Sequence, residues 1–285
     1  MILAASLVAA SCITLCTIAG CREEEFQEIK EEIVVEGWIA DGEHPIVMVT
    51  STLPIKEEDT QMDDLKKYVA QWARVGITTD DGTSVYLTAR YDADYFPPYI
   101  FTTTAIRGQA GRSYHLTVDW RTHHAEATTT IPASVPLDDI WCEPCTDNDT
   151  LRQVIVQFHD QPASHDYYLL FSREKDEPLN PQLCLFGIID DKTLPSPEVT
   201  KSIRRGGLIT ELKDYTPYYT IGDQVEVSLM HVDSLTYQYW HAFSDVKQLG
   251  GTFLFNITTP LDGNIQGGHG IWYGCGLGKK NVLVK

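Results

Sequence analysis

The chain has 285 residues, a formal net charge of −18 and a hydrophobic content of 43%. That is enough apolar material for one large domain or two ordinary ones, and the excess of acid makes a surface that repels phosphate backbones, so nucleic acid is excluded as a partner. The 14 Tyr and 6 Trp, with abundant Thr, favour β-sheet over helix.

Residues 1–20, MILAASLVAASCITLCTIAG, carry no charged side chain. The segment grazes the length of a membrane span, but its small-residue end and N-terminal position read as a signal peptide. Ile18-Ala19-Gly20-Cys21 fits the bacterial lipobox. Small residues let a signal peptidase close around an extended backbone, and the Cys21 thiol carries the diacylglycerol. The usual Lys or Arg near the start is missing, which leaves open a start codon upstream. Cleavage makes Cys21 the first residue of a mature chain anchored by its acyl chains, at about 0.8 kcal/mol per buried methylene. Arg22, Glu23, Glu24 and Glu25 follow and open an acidic tether over residues 21–31. The run also resembles the export tag that sends Bacteroidota lipoproteins to the outer face of the outer membrane, with the periplasmic face as the alternative. No later stretch is long and apolar enough to span a bilayer.

From Glu32 the chain turns β-like. Residues 33–39 and 46–49 read as strands around an Asp41-Gly42 turn. Residues 57–70 are acidic, with Met62, Leu65 and Val69 at helical spacing, and predict a short surface helix bearing Asp59, Asp63 and Asp64. Residues 75–79 and 85–88 make a hairpin across Asp80-Asp81-Gly82, residues 99–105 a further strand, and residues 114–119 and 125–131 a second hairpin. So many short strands predict an immunoglobulin-like β-sandwich over residues 32–132. Pro132 and Pro136 mark a stiff boundary. Beyond it, residues 133–285 read as a second β-rich domain with strands at 153–158, 167–173, 183–189 and 225–232. One amphipathic helix near 234–249 is capped by Ser234, has Leu235, Tyr239, Ala242, Phe243 and Val246 on one face, and stops at Gly250. Residues 264–275 read as a tight crossing into a last strand at 282–284. The fold class expected is therefore mainly all-β, as two sandwich-like domains.

Motifs with chemistry are few. Cys142-Glu-Pro-Cys145 is compatible with a structural disulfide, unpaired thiols, half a metal site or a redox centre. No helix signal follows it, which argues against redox work, and the other two cysteines after Cys21, Cys184 and Cys275, are not spaced as zinc ligands. Export permits a disulfide, so Cys142 and Cys145 are disulfide candidates. His123-His124 would point to opposite faces of a strand and so not chelate one ion. Asp147-Asn148-Asp149-Thr150 lacks the Gly and distal Glu of a calcium loop. Arg204-Arg205 is a small basic island. No nucleophile–base pair, zinc-protease or phosphate-loop pattern is present. No enzyme activity, cofactor or metal is expected.

Several phrases are more distinctive than composition: Glu36-Gly-Trp-Ile39, Ser51-Thr-Leu-Pro54, Tyr95-Phe-Pro-Pro-Tyr99, the Ile131-Pro132 to Asp138 hinge, Asp166-Tyr-Tyr168, Tyr239-Trp-His-Ala-Phe243 and Asn264-Ile-Gln-Gly-Gly268 to Gly274. In this order they resemble the Bacteroidota outer-membrane lipoproteins of domain-of-unknown-function family 4249, over nearly the whole mature chain. The resemblance implies an accessory role beside a TonB-dependent outer-membrane receptor, with an unidentified nutrient as ligand, and supplies no catalytic residue. A surface adhesion or structural lipoprotein without a transport role is the alternative.

Overall fold

The computed structural model describes residues 31–52, 68–95, 97–145, 148–161, 163–175, 181–206, 216–248, 261 and 263–285. The chain is mainly β. Its strands run β1 (Ile33–Ala40), β2 (Ile46–Ser51), β3 (Arg74–Thr79), β4 (Ser84–Tyr86), β5 (Thr88–Tyr91), β6 (Tyr99–Thr102), β7 (Ser113–Trp120) and β8 (His123–Thr130). There follow β9 (Leu137–Cys145), β10 (Asn148–His159), β11 (Tyr167–Glu174), β12 (Gln182–Asp190), β13 (Glu198–Ile203), β14 (Tyr219–Thr220), β15 (Gln224–Val232), one helix α1 (Ser234–Gln248) and β16 (His269–Leu283).

An eight-stranded sheet, ordered β12-β11-β15-β16-β1-β2-β6-β5, is the frame. Two four-stranded sheets accompany it among the described residues, β4-β3-β7-β8 and a group in which β10 pairs β13, β14 and β9. Alternation along the strands assigns the faces. On β1, Ile33, Val35 and Ile39 point into a core shared with Val75 and Ile77 of β3 and with Leu116 and Val118 of β7. On β11 and β15, Tyr168, Leu170, Val225, Val227 and Leu229 enter a second core with Val154, Val156 and Phe158 of β10. The two small sheets therefore cover one face of the large sheet side by side. The residues between, such as Leu169, Phe171, Met230, Ile271 and Tyr273, point the other way and pack under α1.

β16 joins the two halves. Residues 269–275 pair in parallel with β1, and residues 276–283 pair antiparallel with β15. Its even positions face the small sheets: Trp272, fully buried, donates its indole N–H to the Tyr114 carbonyl at 3.0 Å. The next even positions are Gly274, Gly276 and Gly278, and the connector from Ile131 to Leu137 runs across them. A Cβ on Gly276 would lie 2.4 Å from the Ala133 carbonyl oxygen, and one on Gly278 would lie 2.4 Å from that of Val135. The last strand is thus much longer than the 282–284 expected, because alternate glycines hide a strand from any reading based on apolar alternation. The tight crossing precedes it: Asn264 hydrogen-bonds both the N–H and the carbonyl of Trp272, at 2.9 and 2.8 Å. Gly270 holds φ +104° with its α-carbon against the Val35 carbonyl.

The expected hairpins and most strands are present. β5, β9, β13 and β14 were not expected from the sequence. The helix differs in detail. Asp233, not Ser234, is its N-cap, with its carboxylate accepting from the Thr236 amide at 2.8 Å. Its inward face is Thr236, Tyr239, Trp240 and Phe243, whereas Leu235 and Ala242 are exposed. Large aromatic rings, rather than the aliphatic residues, set the rotation of the helix on the sheet. The acidic helix expected over 57–70 falls almost wholly outside the described residues, as do Asp59, Asp63 and Asp64.

Candidate functional site

Glu36 interrupts β1 on the face away from the small sheets. Directly beside it across the strands lie Met48 of β2 and Ile271 of β16; one step along, Trp38 sits between Ile46 and Tyr273. Glu36, Met48, Trp38, Ile46 and Tyr273 form the floor of a cavity of about 540 Å³, within the range usual for small-molecule sites. Trp38 stacks on Tyr273 with ring centroids 6.4 Å apart and meets Tyr95 at 6.2 Å. Helix α1 supplies a wall through Trp240, whose ring stands edge-on to Phe171 at 5.3 Å and to Phe243 at 5.1 Å. The Trp240 indole N–H is buried beside the Tyr273 hydroxyl without reaching good hydrogen-bond geometry.

The cations at the rim are already matched. Arg90 pairs with Asp92 at 2.7 Å, Lys279 with Glu43 at 3.1 Å and Arg173 with Asp94 at 3.9 Å. No hydrogen bond or ion pair satisfies the Glu36 carboxyl among the described residues. Burial pushes it up to about 7. The cavity keeps the side chain in touch with solvent, but rings and aliphatic groups surround the carboxyl closely enough to disfavour its charge. Tyr239 is raised by burial first and by Glu36 second, and Tyr273 by burial first, then by Cys275 and Glu36. The arrangement offers flat apolar surface and one carboxyl able to accept from a cation or donor near neutral pH.

The residues singled out by sequence do not meet here. Cys21, Arg22, Glu23, Glu24 and Glu25 lie outside the described residues, as does part of the Asp147–Thr150 stretch. Cys142 and Cys145 sit on β9, and neither is in a disulfide. Strand geometry opposes a local bridge between the two. Residues three apart on a strand are about 10 Å apart and face opposite sides, beyond disulfide reach. Burial raises the Cys142 thiol and pushes those of Cys184 and Cys275 up to about 12, so none of the three is activated. His124 donates its Nδ1–H to Asp119 Oδ1 at 2.7 Å, while His123 stacks on Trp120. Arg204 lies over the rings of Phe186 and Tyr218, and Arg205 pairs with Glu174. Sequence reasoning passed over Glu36, although a lone acid in IVVEGWIA breaks an outer face otherwise made of Val34, Trp38 and Ala40.

The class defined so far is a mainly β chain with one α-helix among the described residues and a sheet-face cavity. The family model described as Domain of unknown function (DUF4249) matches residues 23–281, and the chain belongs to that family. No curated protein matches the chain.

Proposed function

We propose that the chain is a non-enzymatic lipoprotein, anchored in the outer membrane through acylated Cys21, that holds a small ligand in the Glu36 cavity as accessory to a TonB-dependent uptake receptor. The observation that carries the ligand-holding role is the cavity: about 540 Å³, floored by Trp38 and Tyr273, with a Glu36 carboxyl that has no partner among the described residues. The ligand it fits brings apolar or flat surface to the rings and a donor or cation to the carboxyl. The lipobox and acidic tether support the anchor, and the family resemblance supports the receptor partnership. The test is to solubilise the native protein from its own outer membrane in mild detergent, recover it by affinity, and identify partners by mass spectrometry. A TonB-dependent receptor in near-equal amount supports the assignment. The lipoprotein alone, in a preparation where other receptor complexes survive, rejects the partnership. An adhesive role is favoured by one feature, Trp72, which is 93% exposed in the turn before β3.

A further inference from the structure

At one end of the second core, the loop from β10 to β11 meets the turn that follows β12. Asp160, Asp166 and Asp191 each bring one carboxylate oxygen within 4.8 Å of the others. Two oxygens bound to one calcium ion at about 2.4 Å cannot lie farther apart than that, so the three fit around a single centre. Asp166 is 8% exposed and the Asp191 side chain 8%.

Each carboxylate is held by a neutral donor on one oxygen. Tyr168 donates to Asp160 Oδ1 at 2.6 Å, Ser164 to Asp166 Oδ2 at 2.7 Å, and the Asp166 amide to Asp191 Oδ2 at 2.8 Å. These bonds orient the groups without neutralising them, which is what outer partners do around a metal. The other oxygens are the open question, and Asp191 Oδ1 states it most clearly. That atom is wholly buried and accepts no hydrogen bond among the described residues. A buried carboxylate oxygen left this way is costly unless a cation meets it.

The two nearby histidines do not fill that need. His165 Nε2 lies 2.8 Å from Asp190 and 3.5 Å from Asp191 Oδ1, and its Nδ1 takes the Tyr167 hydroxyl at 3.4 Å. With Nδ1 accepting, the Nε2 proton goes to Asp190. His231 Nδ1 lies 2.8 Å from the Ala133 carbonyl, which only accepts, so Nδ1 holds the proton. Its Nε2 lies 3.4 Å from Asp166 Oδ1, too far for a strong hydrogen bond, and does not reach Asp191 Oδ1.

We propose that Asp160, Asp166 and Asp191 form a calcium site that clamps the ends of β10, β11 and β12. Three carboxylates with no thiolate, and with the adjacent imidazole Nε2 committed to Asp190, select a hard, oxygen-seeking cation over zinc or copper. The ion ties a small-sheet strand to two strands of the large sheet. None of its ligands lines the Glu36 cavity, so the site stands or falls separately from the ligand-holding role.

The test uses the full chain in detergent, stripped with EGTA, then titrated with calcium by calorimetry and followed through thermal unfolding. One calcium per chain is expected, with a Kd of roughly 0.1–1 mM, as in extracellular modules. At tenfold excess over Kd, Tm rises by about 4 °C. Asp191→Asn and Asp160→Asn each weaken calcium binding at least about tenfold, while Asp119→Asn, at the β7–β8 turn, leaves it unchanged. If neither variant folds, terbium luminescence on the wild type, sensitised by Tyr168 and competed away by calcium, reads the same site. No saturable response up to about 10 mM calcium overturns the proposal, since that exceeds the weakest such sites tenfold. So does binding that persists in both folded variants, or tighter zinc binding lost in His165→Ala.

Discussion

The two faces of the eight-stranded sheet are built from the same strands and differ in almost everything else. One face is sealed by two small sheets over aliphatic cores, where Ile33, Val35, Val154 and Leu229 are completely or almost completely buried. The other carries one helix, a set of stacked rings and a cavity floored in part by an acid. On β16 the contrast runs residue by residue: Trp272 and three glycines on the sealed side, Ile271, Tyr273, Cys275 and Leu277 on the open side. Strand identity therefore does not decide what a sheet face does. Coverage does, and a face left partly uncovered can keep a carboxyl that the sealed face could not tolerate.

The sealed face should fail most severely. Gly276→Val puts branched carbon against the Ala133 carbonyl, and neither β16 nor the connector can give without breaking strand pairing or the hydrogen bonds at Ala133 and Ser134. A loss of more than about 3 kcal/mol is expected, seen as insoluble protein or a collapsed denaturation midpoint. Its neighbour on the open side, Cys275→Ala, should cost about 1 kcal/mol and remain soluble. Equal losses at the two positions would end the distinction between the faces.

Two tryptophans sharpen the comparison. Trp272 is fully buried and Trp240 is 8% exposed, so burial alone predicts similar costs. Trp272→Ala leaves a void inside a closed core and should cost about 4 kcal/mol by chemical denaturation. Trp240→Ala empties a wall that already borders a cavity, so α1 can settle or undock, and about 2 kcal/mol is expected. Hydrogen exchange should then quicken across residues 234–248 alone. Faster exchange throughout β11 and β15 would show that α1 is integral to the sealed core.

The sealed face was largely legible in the sequence. The β1 alternation, the Asp-Gly turn at Asp81-Gly82 and the hairpin around Arg121 depend on local spacing, and each is present in the structure. β16 was not legible, since Gly274, Gly276 and Gly278 are explained only by a connector more than 130 residues earlier in the chain. The helix face was placed correctly at Tyr239 and Phe243 but rotated by counting Leu235 and Ala242 as apolar, whereas Trp240 supplies the larger buried ring. Glu36 was visible as an exception on β1, but its meaning required knowing which strand face stayed uncovered. Asp160, Asp166 and Asp191 carried no local pattern at all, because three separate strand ends bring them together.

The last comparison probes Glu36 itself. Its carboxyl is raised from 4.5 to about 7 by burial on the cavity floor. An acid raised on folding binds its proton more tightly in the native state than in the unfolded one. Its penalty is absent below about pH 4.5, grows as pH rises, and is complete above about pH 7. The wild type should therefore lose on the order of 2 kcal/mol between pH 5 and pH 8 from this group, less than the full shift implies because the cavity admits water. Glu36→Gln keeps the shape and removes the titration. Its stability relative to wild type should rise with pH, with little difference at pH 5 and the largest gain at pH 8. Taking the difference between the two proteins cancels every other titrating group. A difference that stays flat across that window would mean that water or a hydrogen-bond donor already satisfies the carboxyl. Glu36 would then be an ordinary surface acid, and the two faces would differ in shape alone.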